Sequence, residues 1–267
     1  MDNRIKNMTH LHWSHSRKSS GTSGTLLKSQ QKINGEKFYY KLSNYDIELG
    51  IVGHECINEI IVDRLLTILG VEHVSYELIH AIVRIDGEEH KTYICKSKDF
   101  KNAGESKCAL DIYYQINKNK NEDKYDFCKN RGWSKHIDTM LTIDYIILNR
   151  DRHGANLEVL ANPKKQTLRI APLFDHGLSL LCSCRSEEEI SKFNVGEDKP
   201  CNNFLGSRST YDNLKYINKQ NDVFKNTLKK SDKDLLFKGL EDTISAVHLE
   251  KIWQMIWKRY ENFCNTK

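Results

Sequence analysis

"DYIILNRDRHGANLEVLANPKKQTLRIAPLFDHG", Asp144 to Gly177, is the stretch on which the reading of the fold turns. It begins inside a helix that the spacing of Ile137, Leu141, Ile143, Ile147 and Leu148 predicts over Lys135 to Leu148. A loop follows, carrying Asp151 and then Asn156. Two short apolar runs, Leu157 to Leu160 and Leu168 to Ile170, read as a hairpin turning through Asn162-Pro163. Leu173-Phe174 then lead into Asp175, His176 and Gly177. Asp151, Asn156 and Asp175 all fall in loops between elements, where functional groups are usually mounted.

Those three residue types match the needs of phosphoryl transfer from a magnesium-bound nucleoside triphosphate. One carboxylate has to position an acceptor hydroxyl and take its proton. One amide oxygen and one further carboxylate have to hold the hard cation that bridges the phosphates. A D-x-x-x-x-N pair arises by chance about once in a chain of this length, and an Asp-x-Gly after a strand is a common turn. The weight lies in their order: long apolar helix, pair, hairpin, then Asp175.

Working outward toward the N-terminus, "SHSRKSSGTSGT", Ser14 to Thr25, is a Ser/Thr/Gly loop. Its backbone N–H groups at Ser20, Gly21, Thr22, Ser23, Gly24 and Thr25 suit a phosphate tail, because small residues allow close approach. An aromatic-rich strand, Lys37 to Leu42, places Lys41 near its end as a point charge for phosphates, with Lys37 as a rival on the same face. The helix that follows repeats Ile57, Ile60, Ile61, Leu65, Ile68 and Leu69 and ends at Gly70, a residue suited to the left-handed position after a helix. Glu59 on this helix is the preferred carboxylate for Lys41, and Glu55 the fallback. "VSYELIHAIVRI" and "KTYICKS" read as strands about an Asp86-Gly87 turn, and the polar stretch Asp99 to Asn121 as a connection between lobes.

Toward the C-terminus, Ser231-x-x-Asp234 fits a capping box, and Ile252, Trp253, Ile256, Trp257, Tyr260 and Phe263 make one broad apolar helix face. Arg185 to Lys230 is polar and carries no clear pattern. The expected architecture is α+β with two lobes: a strand-rich lobe over 1–98 and a helical lobe over 99–267.

Composition narrows the function class. The 267 residues are 39% hydrophobic and 29% charged, with net charge +5 and pI near 8.6. That balance is mildly basic and too weak to argue for direct nucleic-acid binding. No run of 18 apolar residues and no apolar N-terminal segment appears, so a cytoplasmic protein is expected. The eight cysteines are scattered and lack zinc-ligand spacing, and they are expected to be reduced thiols.

Taken together, these residues resemble the HipA-like serine/threonine kinases, which have a protein-kinase-like fold. "NRDRHGAN" is similar to that family's D-R-H-x-x-N catalytic loop, "APLFDHG" to its P-[LI]-[FY]-D metal motif, and "NEIIVDRLLTILGVEHV", Asn58 to Val74, to its N-E-x(10)-G helix. The resemblance implies ATP and Mg2+ as cofactors. It makes Asp151 the base, Asn156 and Asp175 the magnesium ligands, Lys41 an ATP-phosphate contact and Glu59 its support. It also implies an adenine-binding hinge near Tyr93 to Lys96 (Ile94, Cys95 and Lys96 included), and a steadying role for Arg152 and His153. A short member without the N-terminal subdomain of full-length HipA toxins is expected. The implied partners are a protein substrate, such as a translation component, and an antitoxin or split-subunit chain. Ser16, Ser19, Ser20, Thr22, Ser23 and Thr25 are candidates for autophosphorylation. A small-molecule or lipid kinase, or an ATP-binding pseudokinase, are the alternatives on the same fold.

Overall fold

A computed structural model describes residues 4–14, 26–218 and 220–266. The N-terminal part is a five-stranded sheet in the order β1-β6-β7-β3-β2, with β1 Lys6–Asn7, β2 Lys28–Ile33, β3 Glu36–Leu42, β6 Tyr76–Ile85 and β7 Glu88–Lys98. Between them lie a two-stranded ribbon, β4 Tyr45–Asp46 with β5 Gly50–Ile51, and the helix α1, Glu55–Leu69. Neighbours in the large sheet are antiparallel except β1 with β6. Asp86 and Gly87, at φ 51° and 95°, make the tight β6–β7 turn that their sequence demands. Alternate residues of β6 (Ile79, Ala81, Val83, Ile85) join Tyr40, Leu42, Ile94, Leu11 and Leu27 in one apolar cluster.

The α1 helix is buried on most of its surface, as expected of a helix packed between two bodies. Toward the sheet it meets β3, β6 and β7; toward the helices it meets α7, Lys233–Phe237. Its end is fixed by Gly70 at φ 67°, where a side chain would collide with Lys225. The backbone N–H groups of Lys225 and Asn226 donate to Leu69 O, which satisfies a carbonyl that the helix end leaves open.

The C-terminal part is built on α4, Ser134–Ile146, and α8, Ala246–Thr266. Ile252, Ile256, Tyr260 and Phe263 are buried as the sequence face predicted. Arg259, 1% exposed, donates to Tyr145 O at 2.8 Å and Glu197 O at 2.6 Å, so α8 is tied to the end of α4 by hydrogen bonds as well as apolar packing. Smaller helices complete this part: α2 Leu110–Asn117, α3 Lys124–Asn130, α5 Glu187–Lys192 and α6 Thr210–Asn213.

Two expectations need correction. The stretch Asp99 to Asn121 is more than a connection. It forms β8, Ser106–Ala109, and α2, and β8 adds an outer strand to the hairpin of β10, Glu158–Asn162, and β11, Thr167–Ile170. A third strand gives that short hairpin the support that two strands alone lack. Ser231 caps no helix. It lies in a 3-10 turn, Lys230–Asp232, where the Asp232 carboxylate accepts the Lys229 N–H at 2.7 Å before α7 begins. The segment after Arg185 does contain a capping box, Ser186 with Glu189 at the head of α5. Among the described residues no helix is long and apolar enough to cross a membrane, and all eight cysteines are free thiols.

Candidate active site

Lys41 sits near the end of β3, opposite Cys95 of β7, with its side chain turned toward α1. Its Nζ donates to Glu59 Oε1 at 2.5 Å and to Asp175 Oδ1 at 2.9 Å. Burial opposes a charged ammonium, but the carboxylates of Asp175 and Glu59 outweigh it and hold the Lys41 pKa well above the ordinary lysine value. Glu59 is 2% exposed and spends its other oxygen on the His176 N–H at 3.0 Å. Glu55, one turn earlier, instead accepts the Asn44 N–H at 2.9 Å and serves the approach to α1. The choice between these two glutamates is thus made by their positions relative to the sheet.

Asp175 reaches this lysine because Leu173 pairs with the segment entering β6. Val74 N donates to Leu173 O at 2.9 Å, and Leu173 N to Glu72 O at 3.3 Å. Asn58, fully buried on α1, donates to Gly177 O and Ser179 O at 3.0 Å each, holding the residues just after Asp175. Asp175 itself has φ 60°, an unusual conformation for a residue with a side chain, which Asp tolerates better than most. Such local strain persists only where surrounding contacts fix it. Lys28 approaches the other oxygen of Asp175 at 3.4 Å, and the Asp175 N–H donates to the Tyr76 hydroxyl at 3.3 Å.

The loop after α4 is organised by Arg152, 1% exposed. Its guanidinium donates to Asp144 on α4 at 3.0 Å, to Asn156 O at 3.3 Å and to Phe174 O at 2.8 Å. One side chain therefore ties α4, the loop carrying Asp151 and Asn156, and the segment just before Asp175 together. Burial disfavours its charge, yet Asp144 raises its pKa above the usual arginine value. Asn149 adds a donor to Asp144 at 2.8 Å, and its own oxygen accepts the Asp151 N–H at 3.2 Å. Asn156 ends a 3-10 turn, Gly154–Asn156, and donates from its amide to Asp151 O at 2.8 Å, which leaves its acceptor oxygen for a ligand. The turn packs so closely on α2 that a Cβ on Gly154 would lie 2.3 Å from Asp111 Cβ. His153 accepts the Ala155 N–H on Nδ1 at 3.1 Å, so its proton resides on Nε2, which faces Asp151 Oδ2 at 3.6 Å.

A cavity of about 780 Å³ lies between sheet and loop, with Lys28, Lys41, Tyr76, Asn156, Phe174 and Asp175 in its walls. Lys37, the rival lysine, also lines it, its Nζ 4.7 Å from the Tyr39 ring; burial lowers its pKa. Asp151 opens instead on an adjoining cleft of about 610 Å³. Ile94, Cys95 and Lys96 are absent from the cavity wall. Ile94 and Cys95 are buried in the sheet, and Lys96 lies over Phe38 and pairs with Glu77, so Ser97, Lys98 and Phe100 replace them where the chain leaves β7. The loop residues Ser20 to Thr25, with Ser16 and Ser19, lie outside the described residues.

Sequence reasoning missed Lys28 and Tyr76. Lys28 directly faces Lys41 across the β2–β3 pairing and follows the Ser/Gly loop by three residues, and that position was its signal. Tyr76 had none, since its hydroxyl meets Asp175 only through the fold. Among the described residues no group of three or more His, Cys, Asp or Glu side chains could hold a metal ion. Magnesium bridging phosphates needs less, one or two protein oxygens with the phosphates supplying others. Asn156 and Asp175 on one cavity wall fit that demand.

The fold is two-lobed and α+β, and it is shared with a solved bacterial kinase. The chain superposes on the Helicobacter pylori proinflammatory kinase CtkA with a TM-score of 0.59 at 15% identity, covering 97% of this chain and 95% of CtkA. HipA from the Shewanella oneidensis MR-1 toxin–antitoxin complex with HipB and operator DNA aligns at a TM-score of 0.41 and 12% identity, over 91% of this chain and 57% of that one. No family model matches the sequence, and no curated protein matches it.

Proposed function

We propose that this chain is an ATP-dependent kinase that transfers the γ-phosphoryl group to a serine or threonine hydroxyl of a protein. The supporting observation is Lys41 held between Glu59 at 2.5 Å and Asp175 at 2.9 Å, on the wall of a cavity that Asn156 also lines. A nucleotide-sized space with a buried, obligately charged lysine beside two oxygen ligands is organised for a triphosphate. Residues 1–98 would hold the nucleotide, and residues 99–267 would supply the acceptor side.

Lys41 and Lys28 receive the phosphate charge, and Glu59 keeps Lys41 from collapsing onto another partner. Asn156 and Asp175 would hold magnesium, whose charge offsets that of the β- and γ-phosphates. Asp151 aligns the acceptor hydroxyl and takes its proton. The new O–P bond forms as the bond from the γ-phosphorus to the β–γ bridging oxygen breaks, giving phosphoprotein and ADP. His153, with its Nε2 proton toward Asp151, orients that carboxylate; Arg152 keeps both loops in register. The loop serines and threonines are candidate acceptors in cis. We place the protein in the cytosol, where a protein acceptor and an antitoxin-type partner would be met.

The test is incubation of the purified protein with MgATP, followed by mass spectrometry of the chain and of added protein. Phosphate on serine or threonine, absent in Asp175→Ala, is the expected result. Phosphate only on an added metabolite or lipid would replace the protein acceptor with a small one. ATP binding without any transfer would make the chain a pseudokinase.

A further inference from the structure

The cleft around Asp151 carries an unbalanced charge. Its floor is β9, Asp151–Arg152, paired in parallel with β12, Asn202–Asn203. The loop after β12 folds back so that Cys201 N donates to Arg208 O at 2.8 Å, and Asn202 N to Arg150 O at 2.8 Å. Arg150 and Arg208 thereby face the same cleft as Asp151. Arg150 donates only a long 3.4 Å hydrogen bond to Pro200 O, and neither arginine has a carboxylate within ion-pair distance among the described residues. The nearby acid Asp198 is already engaged by the Ser209 and Thr210 hydroxyls.

The cleft also has the shape of a surface for a chain segment. Its rim residues Pro200, Asn202, Gly206 and Arg208 are exposed. The thiols of Cys182 and Cys201 line it but are no rivals to Asp151, because burial raises each pKa to about 11 and keeps them protonated. Strand spacing puts Arg208 two strands away from the Asp151 backbone, roughly 10 Å, the length of about three extended residues.

Building on the kinase reading, we infer that Arg150 and Arg208 form an acceptor subsite selecting peptide segments with an acidic side chain within about three residues of the hydroxyl. A carboxylate there meets two guanidinium groups that have no internal ion pair to abandon, Arg150 giving up at most its long hydrogen bond to Pro200 O.

The experiment measures transfer from MgATP to serine peptides carrying either Asp/Glu or Lys/Arg beside the acceptor. Acidic peptides should exceed basic ones by about tenfold or more in kcat/KM. Arg208→Glu should reverse the preference, with gain on the lysine-bearing peptide, and Arg208→Gln should abolish it. MgATP affinity by calorimetry serves as the control for intact fold. Equal rates on both peptide sets, an unchanged preference in Arg208→Glu, or transfer confined to a small anionic metabolite would each overturn the subsite. Absence of both MgATP binding and transfer to any acceptor would remove the kinase reading and this one with it; transfer without charge preference removes this one alone.

Discussion

The two adjoining clefts handle charge in opposite ways. Around Lys41 the buried charges are matched inside the protein: ammonium to Glu59 and Asp175, with Lys28 on the far oxygen of Asp175. Around Asp151, Arg208 stands exposed and Arg150 half-buried, neither with a carboxylate within ion-pair distance among the described residues. A buried charged group cannot wait unpaired, because desolvation would cost several kcal/mol, so the Lys41 cleft is assembled in advance. An exposed guanidinium is solvated at little cost and can await a partner.

The comparison breaks most sharply at Lys41 and Asp175. Replacing either with alanine should lower phosphoryl transfer about a thousandfold, the size seen when one preorganised electrostatic group is removed. Labelled phosphate transfer measures it, with circular dichroism to verify folding; wild-type rates in either variant would move the chemistry out of this cleft.

Arg152 tests buried pairing through stability. Arg152→Ala strands Asp144 at 2% exposure and should cost about 3–5 kcal/mol in urea denaturation. Arg208→Ala, at the exposed rim, should stay within about 0.5 kcal/mol. Similar losses in the two would erase the distinction between the clefts.

Buried groups without charge extend it to pH. His54, just before α1, meets His248 of α8 edge to face at 4.4 Å. Burial pushes their pKa values down to about 3 and about 4, with each other's charge a further cause for His54. Folded-state values lie below the unfolded value of about 6.5, so the unfolded chain binds more protons between them. Their contribution is therefore complete above pH 6.5 and is lost progressively as pH falls toward 4. Thermal melts should show Tm dropping across that window, and more shallowly in His248→Phe. A flat profile would mean that these rings are hydrated.

The smallest effect belongs to the outer surface. Lys192 and Glu188, an i,i+4 pair on α5 with both side chains about three-quarters exposed, should contribute under about 0.5 kcal/mol. A double-mutant cycle reads it; a larger coupling would mean that exposure is a poor guide to pairing energy in this protein.

Particular elements show how far the sequence could be read. Helix α1 was legible from its 3.6-residue apolar period and Gly70, and the β6–β7 turn from Asp86-Gly87, because local backbone preference and long-range packing agree there. Ile94 to Lys96 lie off the cavity wall that Ser97, Lys98 and Phe100 line, since strand periodicity does not reveal where a chain leaves a sheet. Residues 106–117 gave no pattern because β8 owes its form to its pairing with β10.

By itself the sequence determined the order of parts and the chemical types available: lysine strand, glutamate helix, aspartate loop, asparagine, aspartate after a hairpin. Local spacing encodes these, through helix and strand periods and turn residues. Only the tertiary structure decided that Glu59 and not Glu55 receives Lys41, that Lys28 and Tyr76 join Asp175, and that Asp151 opens on a second cleft beside two arginines. Such choices depend on distances between residues far apart in the chain, and those distances are set by how α1, the sheet and the α4 loop pack together.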